Sequence, residues 1–226
     1  MNDQINIFDV RLNNLTAKAA MEAAVESMQS ESLTTIDIVT MDVLLKEQSH
    51  KEWKETTDKI DIVLPGDPEI LEAADISDKK IIKDVSGKVF LRMFLRYLQR
   101  NKKKVFLLAD NTHRLEKLKE ILLSDNRKFL IAGSAAPDLE GSFDEGIINE
   151  INGAEPDCIL SILSSPMQEE FIIRNRELLN TRMWLGCGTV LMENFGKRDD
   201  GRILRFLKTK RFKYQVERHS RSKTQE

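Results

Sequence analysis

Asp67 stands between Gly66 and Pro68, at the end of the apolar run Ile62-Val63-Leu64-Pro65. A carboxylate fixed at such a corner can take a proton from a hydroxyl, which makes Asp67 the best-placed candidate for general-base chemistry. Pro-Gly-Asp-Pro is equally a strong turn sequence, and a turn Asp is the competing reading. A second corner, Ser164-Ser165-Pro166-Met167-Gln168-Glu169, separates the apolar run Cys158 to Leu163 from an amphipathic segment carrying Ile172, Ile173, Leu178 and Leu179. The first N–H groups of a helix are unpaired and lie at the positive end of its dipole, so a strand-to-helix corner suits a phosphate. Ser165 and Gln168 also satisfy the S-x-x-Q capping box, with Pro166 at the first helical position, and that would account for the Gln without a ligand.

The elements that must hold these corners alternate along the chain. Strand-like runs fall at Ile5 to Val10, Thr35 to Val39, Ile60 to Leu64, Lys104 to Leu108, Lys128 to Ile131, Cys158 to Leu163 and Met183 to Cys187. Helical periodicity falls at Ala17 to Met28, Asp42 to Glu47, Lys88 to Gln99, Arg114 to Leu123, Asp144 to Ile151 and Gln168 to Leu179. The alternation predicts an α/β fold: a Rossmann-like, mostly parallel sheet with helices on both faces. Sites in such sheets lie beyond the carboxyl ends of the strands. Those ends carry Thr40-Met41-Asp42, Gly66-Asp67, Asp110-Asn111-Thr112, Ser164 to Glu169, and Gly188-Thr189. Hydroxyl, amide and carboxylate groups of this kind suit hydrogen bonding to sugars, phosphates and a uracil edge. Neither G-x-G-x-x-G nor G-x-x-x-x-G-K-[ST] occurs, so neither a dinucleotide fingerprint nor a P-loop is supported.

The chain has 226 residues, 41% of them hydrophobic and 32% charged, enough for a substantial core in one or two domains. No apolar run approaches the ~20 residues that span a bilayer, and the opening MNDQINIFDV lacks the pattern of a signal peptide, so a cytoplasmic location is expected. Cys158 and Cys187 sit in strand-like runs and read as inert core thiols. His50, His113 and His219 form no ligand-spaced cluster, so no metal site is expected, and no cofactor either. The net charge of −2 conceals a basic tail: residues 202 to 223 hold nine basic residues against one acid, Glu217. Interleaved apolar residues, Phe206, Leu207 and Phe212 among them, suggest a basic amphipathic helix. It can dock on the core, lie on an anionic membrane or meet nucleic acid; no nucleic-acid motif accompanies it.

Taken in order, these loops resemble the WecG/TagA/CpsF glycosyltransferases. Asp157 to Leu160 with Ser165 to Glu169 is similar to the family's "pDil.vglG.PkQE.wi" block, and Thr40-Met41-Asp42 to its "T.N". Asp61 to Pro65 resembles "adlvlpDG", Val85-Ser86-Gly87 resembles "RvtG.dl", Lys104 to Asp110 resembles "rvfllGg", and Trp184 to Gly188 resembles "vGvGg". The likeness covers about residues 3 to 195, with the tail, 196 to 226, as a separate unit. It implies transfer of an N-acetylmannosamine-type sugar from a UDP-sugar to a lipid-linked acceptor, inverting and independent of metal, in the building of a bacterial cell-surface polymer. Asp67 is then the base, Thr40 and Asp42 lie near the donor, and Gln168 and Glu169 lie near the diphosphate or sugar. Gly66, Asp110, Asn111 and Ser164 complete the implied substrate site. The tail would hold the enzyme at the inner face of the cell membrane, and assembly with further copies of the chain stays open.

The chain departs from the family pattern at several of these positions. Gly66-Asp67 replaces Asp-Gly, moving the carboxylate by one residue, roughly 3.5 Å. Asp84 replaces the Arg of "RvtG", Ala109-Asp110 replaces a Gly pair, and Ser165 replaces a Gly. The family's C-terminal "EWlyRl" segment has no clear counterpart. The alternative to a working enzyme is a catalytically impaired paralogue that binds a nucleotide-sugar or a partner transferase.

Overall fold

The computed structural model describes residues 4–76, 78, 82–83, 87–123, 128–137, 143–195 and 202–223. Asp84, Val85 and Ser86 lie outside these. A six-stranded sheet is built from β3 (Thr34–Val39), β4 (Ile62–Pro65), β5 (Lys104–Ala109), β6 (Leu130–Ala135), β7 (Cys158–Ile162) and β8 (Met183–Gly186), in the order β4-β3-β8-β7-β5-β6. Every pairing is parallel. The chain therefore steps from β3 to one edge and from β5 to the other, and β7 and β8 close the gap between. This is the expected Rossmann-like α/β sheet.

Burial along β3, β7 and β8 is continuous, as it must be where helices cover both faces. One face packs under α1 (Ala17–Ser27), α5 (Gly87–Arg100) and α6 (Thr112–Leu123) through Phe90, Phe94, Leu98 and Leu118. The other carries α2 (Met41–Glu47), α3 (Lys51–Thr57), α4 (Pro68–Ala73), α7 (Phe143–Ala154) and α8 (Met167–Asn175), with Trp53, Trp184, Ile148 and Phe171 in its core. A 3-10 turn at Arg176–Leu178 ends the segment expected to be helical as far as Leu179. A further short helix, α9 (Val190–Phe195), follows β8.

Two expectations need correction. Ile5 to Val10 is not one strand but a hairpin, β1 (Gln4–Ile7) paired antiparallel with β2 (Val10–Asn13). Phe8 and Asp9 form its two-residue turn with φ of 54° and 68°, the left-handed pair that matches strand twist. Asn6 supports it by accepting the Asp9 N–H at 3.0 Å. No Asn-Gly or Asp-Gly pair marks this turn; burial of the Phe8 ring at 2% exposure favours it instead. The strand expected at Lys128 to Ile131 runs from Leu130 to Ala135, through Gly133, where an added Cβ would stand 2.7 Å from the Phe106 ring.

The basic segment forms α10 (Arg202–Lys223), which lies across α4 and α2. Phe212 is fully buried edge-on to Phe8, ring centroids 5.8 Å apart. Arg205 forks onto Glu69 at 3.1 and 3.2 Å, and Lys208 and Lys213 pair with Asp42 and Glu72 at 2.8 and 2.7 Å. Charge complementarity with the acidic shoulders of α2 and α4 and one aromatic anchor hold it. Among the described residues no helix is long and apolar enough to cross a membrane.

Candidate functional site

A cleft of about 380 Å³ opens at the carboxyl ends of the three central strands β3, β8 and β7, a volume in the range of small-molecule sites. Thr40 lines the cleft and caps α2 through its Oγ1, which accepts the Val43 N–H at 3.3 Å. Asp42, in the first turn of that helix, reaches the mouth, where Lys208 of α10 meets it. Lys46, one turn further on, crosses to the Ser165 carbonyl at 2.9 Å.

The β5 and β7 corners interlock. Asp110 accepts the Ser164 N–H at 2.6 Å and the Ser164 hydroxyl at 2.8 Å, and it takes the Arg114 guanidinium as well. Arg114 also donates to Ser164 Oγ at 3.1 Å. Asn111 serves the helix start instead, accepting the Arg114 backbone N–H at 2.9 Å. Lys46, Arg114 and Lys208 thus line one polar cleft together with Thr40, Ser164 and Thr189. Cations and hydroxyl groups converging on a cavity of this size can hold a phosphorylated ligand and take up charge on a leaving diphosphate.

The capping box read from Ser165 to Gln168 does not form. The Ser165 hydroxyl donates to Glu169 Oε1 at 2.6 Å, while Gln168, buried at 2% exposure, donates its Nε2 to Asp37 Oδ1 at 2.8 Å. Asp37, on β3, also takes the Ile38 N–H at 2.9 Å. Burial pushes the Asp37 carboxyl well above its usual range, and the adjacent Glu169 carboxyl adds to the shift. Burial raises Glu169 too, and two neighbouring buried carboxyls resist ionising together. The Cys187 thiol, itself raised by burial, adjoins Asp37; both cysteines are free and buried.

This pair gives stability a pH dependence of definite sign. A folded-state value raised above the unfolded one, about 3.9 for Asp, contributes stability that is complete below that pH and is lost as the pH rises through the folded value. Asp37→Asn does not titrate there. Its melting temperature is therefore expected to gain on the native chain as the pH rises above the unfolded value, and a constant difference would contradict the raised Asp37 carboxyl.

Asp67 takes a different position from the other candidates. Its Oδ2 accepts the Met41 N–H at 2.9 Å, its Oδ1 meets Lys88 Nζ at 3.1 Å, and Arg205 approaches to 3.9 Å. It is 8% exposed and lies behind Met41 rather than on the cleft wall formed by Thr40 and Asp42. Gly66 packs there for lack of room: an added Cβ would sit 3.1 Å from the Val39 carbonyl. The structure thus brings Thr40, Asp42, Ser164, Gln168 and Glu169 to one cleft, sets Asp110 behind Ser164, and keeps Gly66 and Asp67 one layer away. Asp37, Lys46, Lys88 and Arg114 were not anticipated. Asp37 had a signal, as the lone acid in an otherwise apolar strand, and Arg114 stands one helical turn after Asp110.

The parallel sheet defines a Rossmann-like α/β protein, with a polar cleft at the carboxyl ends of its strands as the candidate small-molecule site. The chain belongs to the glycosyl transferase WecG/TagA/CpsF family, whose family model matches residues 5–195. Membership gives it a glycosyltransferase role, with a sugar donor and an acceptor as substrates. Among curated proteins none matches the chain.

Proposed function

We propose that the protein transfers a HexNAc-type sugar from a UDP-sugar to a lipid-linked acceptor in the synthesis of a cell-surface polysaccharide or teichoic-acid-type polymer. The observation that carries this reading is the convergence of Lys46, Arg114 and Lys208 with Thr40, Ser164 and Thr189 on the cleft between β3 and β7. The cations receive the diphosphate and the hydroxyl groups bind it and the sugar. In the transfer the acceptor hydroxyl loses its proton to Asp67 while its oxygen bonds to the anomeric carbon. The bond from that carbon to the β-phosphate oxygen breaks, and UDP leaves with the electron pair. Attack opposite the leaving group inverts the centre, and no metal takes part in this scheme. Gln168 and Glu169 stand toward the sugar, and the outer side of α10 rests on the inner face of an anionic membrane, bringing the cleft to its acceptor.

One observation favours a second reading, a paralogue that binds the nucleotide-sugar with impaired transfer. Both oxygens of Asp67 are already engaged, and Asp110 occupies the Ser164 N–H that a phosphate could take.

Either reading requires UDP to bind. A ligand at a hundredfold excess over its dissociation constant stabilises a protein by about 2.7 kcal/mol, a melting shift of several degrees. UDP at millimolar concentration is expected to give that shift; an unmoved melting curve would remove the nucleotide assignment.

A further inference from the structure

Gln168 is anchored at one end only. Its Nε2 donates to Asp37 Oδ1, a contact that fixes which way the amide points, because that oxygen already acts as an acceptor for the Ile38 N–H and takes the NH2 rather than the carbonyl. The carbonyl Oε1 is then left buried and without a hydrogen-bond partner among the described residues, in a side chain that lines the cleft. A buried, unpaired acceptor is costly, and in a binding site it is commonly satisfied by the ligand. The surroundings are built for this orientation. Asp37 and Gln168 meet beside Gly186, where an added Cβ would stand 2.3 Å from Asp37 Oδ1 and 2.7 Å from Gln168 Nε2. Glu169 sits against Asp37 from the same helix as Gln168, and Ser165 ties it in turn.

We infer that Asp37 is a positioning residue: it presents the Gln168 Oε1 as the acceptor for a hydroxyl or amide N–H of the donor sugar. This rests on the nucleotide-sugar reading and assigns Gln168 to the sugar, since a phosphate oxygen offers no proton and would be repelled by the carbonyl. The reacting atoms are not touched by Asp37. Its contribution is specificity, because an oriented acceptor discriminates against a ligand that lacks the matching donor.

Titration calorimetry of UDP and of UDP-N-acetylglucosamine against the full chain separates the two parts of the ligand. The quantity read is the ratio of the two affinities. Asp37→Asn keeps an oxygen for Gln168 Nε2 and is expected to retain the native ratio. Asp37→Leu and Gly186→Ala are expected to lower it about tenfold, the worth of one hydrogen bond, while the affinity for UDP alone stays within about twofold. Gln168→Leu, which removes the amide itself, carries the same expectation should those two fail to fold. A native ratio in Asp37→Leu or in Gln168→Leu overturns the inference. So does an equal loss for UDP and the UDP-sugar, which would mark a merely structural role. Native protein that binds neither ligand overturns the nucleotide-sugar reading itself, and the sugar assignment of Gln168 with it.

Discussion

Asp67→Asn is expected to lower sugar-transfer turnover by roughly 10²- to 10⁴-fold while leaving donor affinity nearly unchanged, the mark of a lost general base. The carboxylate is not free to swing: the Met41 N–H holds one oxygen, and Lys88 and Arg205 flank the other. It lies behind Met41 and off the cleft wall, so as the base it must be reached by the acceptor hydroxyl from that side, since proton transfer needs bonding distance. The same change removes charge but keeps the shape and one acceptor, so Met41 and α2 stay in place. The rival base is Asp42, which lies on the cleft wall and pairs with Lys208. Asp42→Asn is expected to appear in the KM for donor. A larger fall in kcat for Asp42→Asn than for Asp67→Asn would move the base to Asp42, full turnover in both would place the base at neither, and saturable donor binding without turnover in the native chain would favour the impaired paralogue.

Truncation after Gly201 is expected to cost the fold about 3–5 kcal/mol from the loss of Phe212 alone, on the scale of Phe-to-Ala changes in cores. That corresponds to a melting loss on the order of 10 °C for a chain of this size. Phe212 fills the space over Phe8, and Val216 is buried beside it, so their removal also uncovers the hairpin. Docking consumes part of the charge: Arg205, Lys208, Lys213 and His219 face Glu69, Asp42, Glu72 and Asp9. Lys210, Arg211, Arg218 and Arg221 point outward, together with Phe206, Leu207 and Tyr214. At about 1 kcal/mol per basic group at an anionic surface, that outer side supports salt-sensitive binding to anionic vesicles and little to neutral ones. Co-sedimentation at low and high salt reads this; equal recovery of full-length and truncated chains would leave α10 a docked helix only.

The parallel sheet was legible because each strand is a short apolar run closed by polar residues, and burial on both faces demands that pattern. The hairpin was not, since its turn uses Phe8 and Asp9, which local propensity does not place at positive φ. Helix α3 and the helix after Pro68 escaped because each spans less than two turns and neither has the side-chain N-cap that marks the similarly short α2. In the cleft, Thr40, Asp42 and Ser164 stand in sequence directly after strands, whereas Gln168 reads as a helix cap and joins the candidate site only through the family resemblance. The pairing of Asp37 with Gln168 crosses 131 positions of sequence, and only the adjacency of β3 and β8 and the space at Gly186 bring it about. The tail's docking depended on acids in α2 and α4 whose alignment with α10 no local pattern encodes.

The central claim is that the cleft between β3 and β7 binds a UDP-sugar through its cations. Titration calorimetry of UDP-N-acetylglucosamine against the native chain and Arg114→Ala tests it most directly, because Arg114 lines the cleft and is the cation that joins its β5 and β7 corners. Saturable binding by the native chain, weakened at least tenfold in Arg114→Ala, is the expected result. No binding to the native chain, or equal affinity in both, would contradict it.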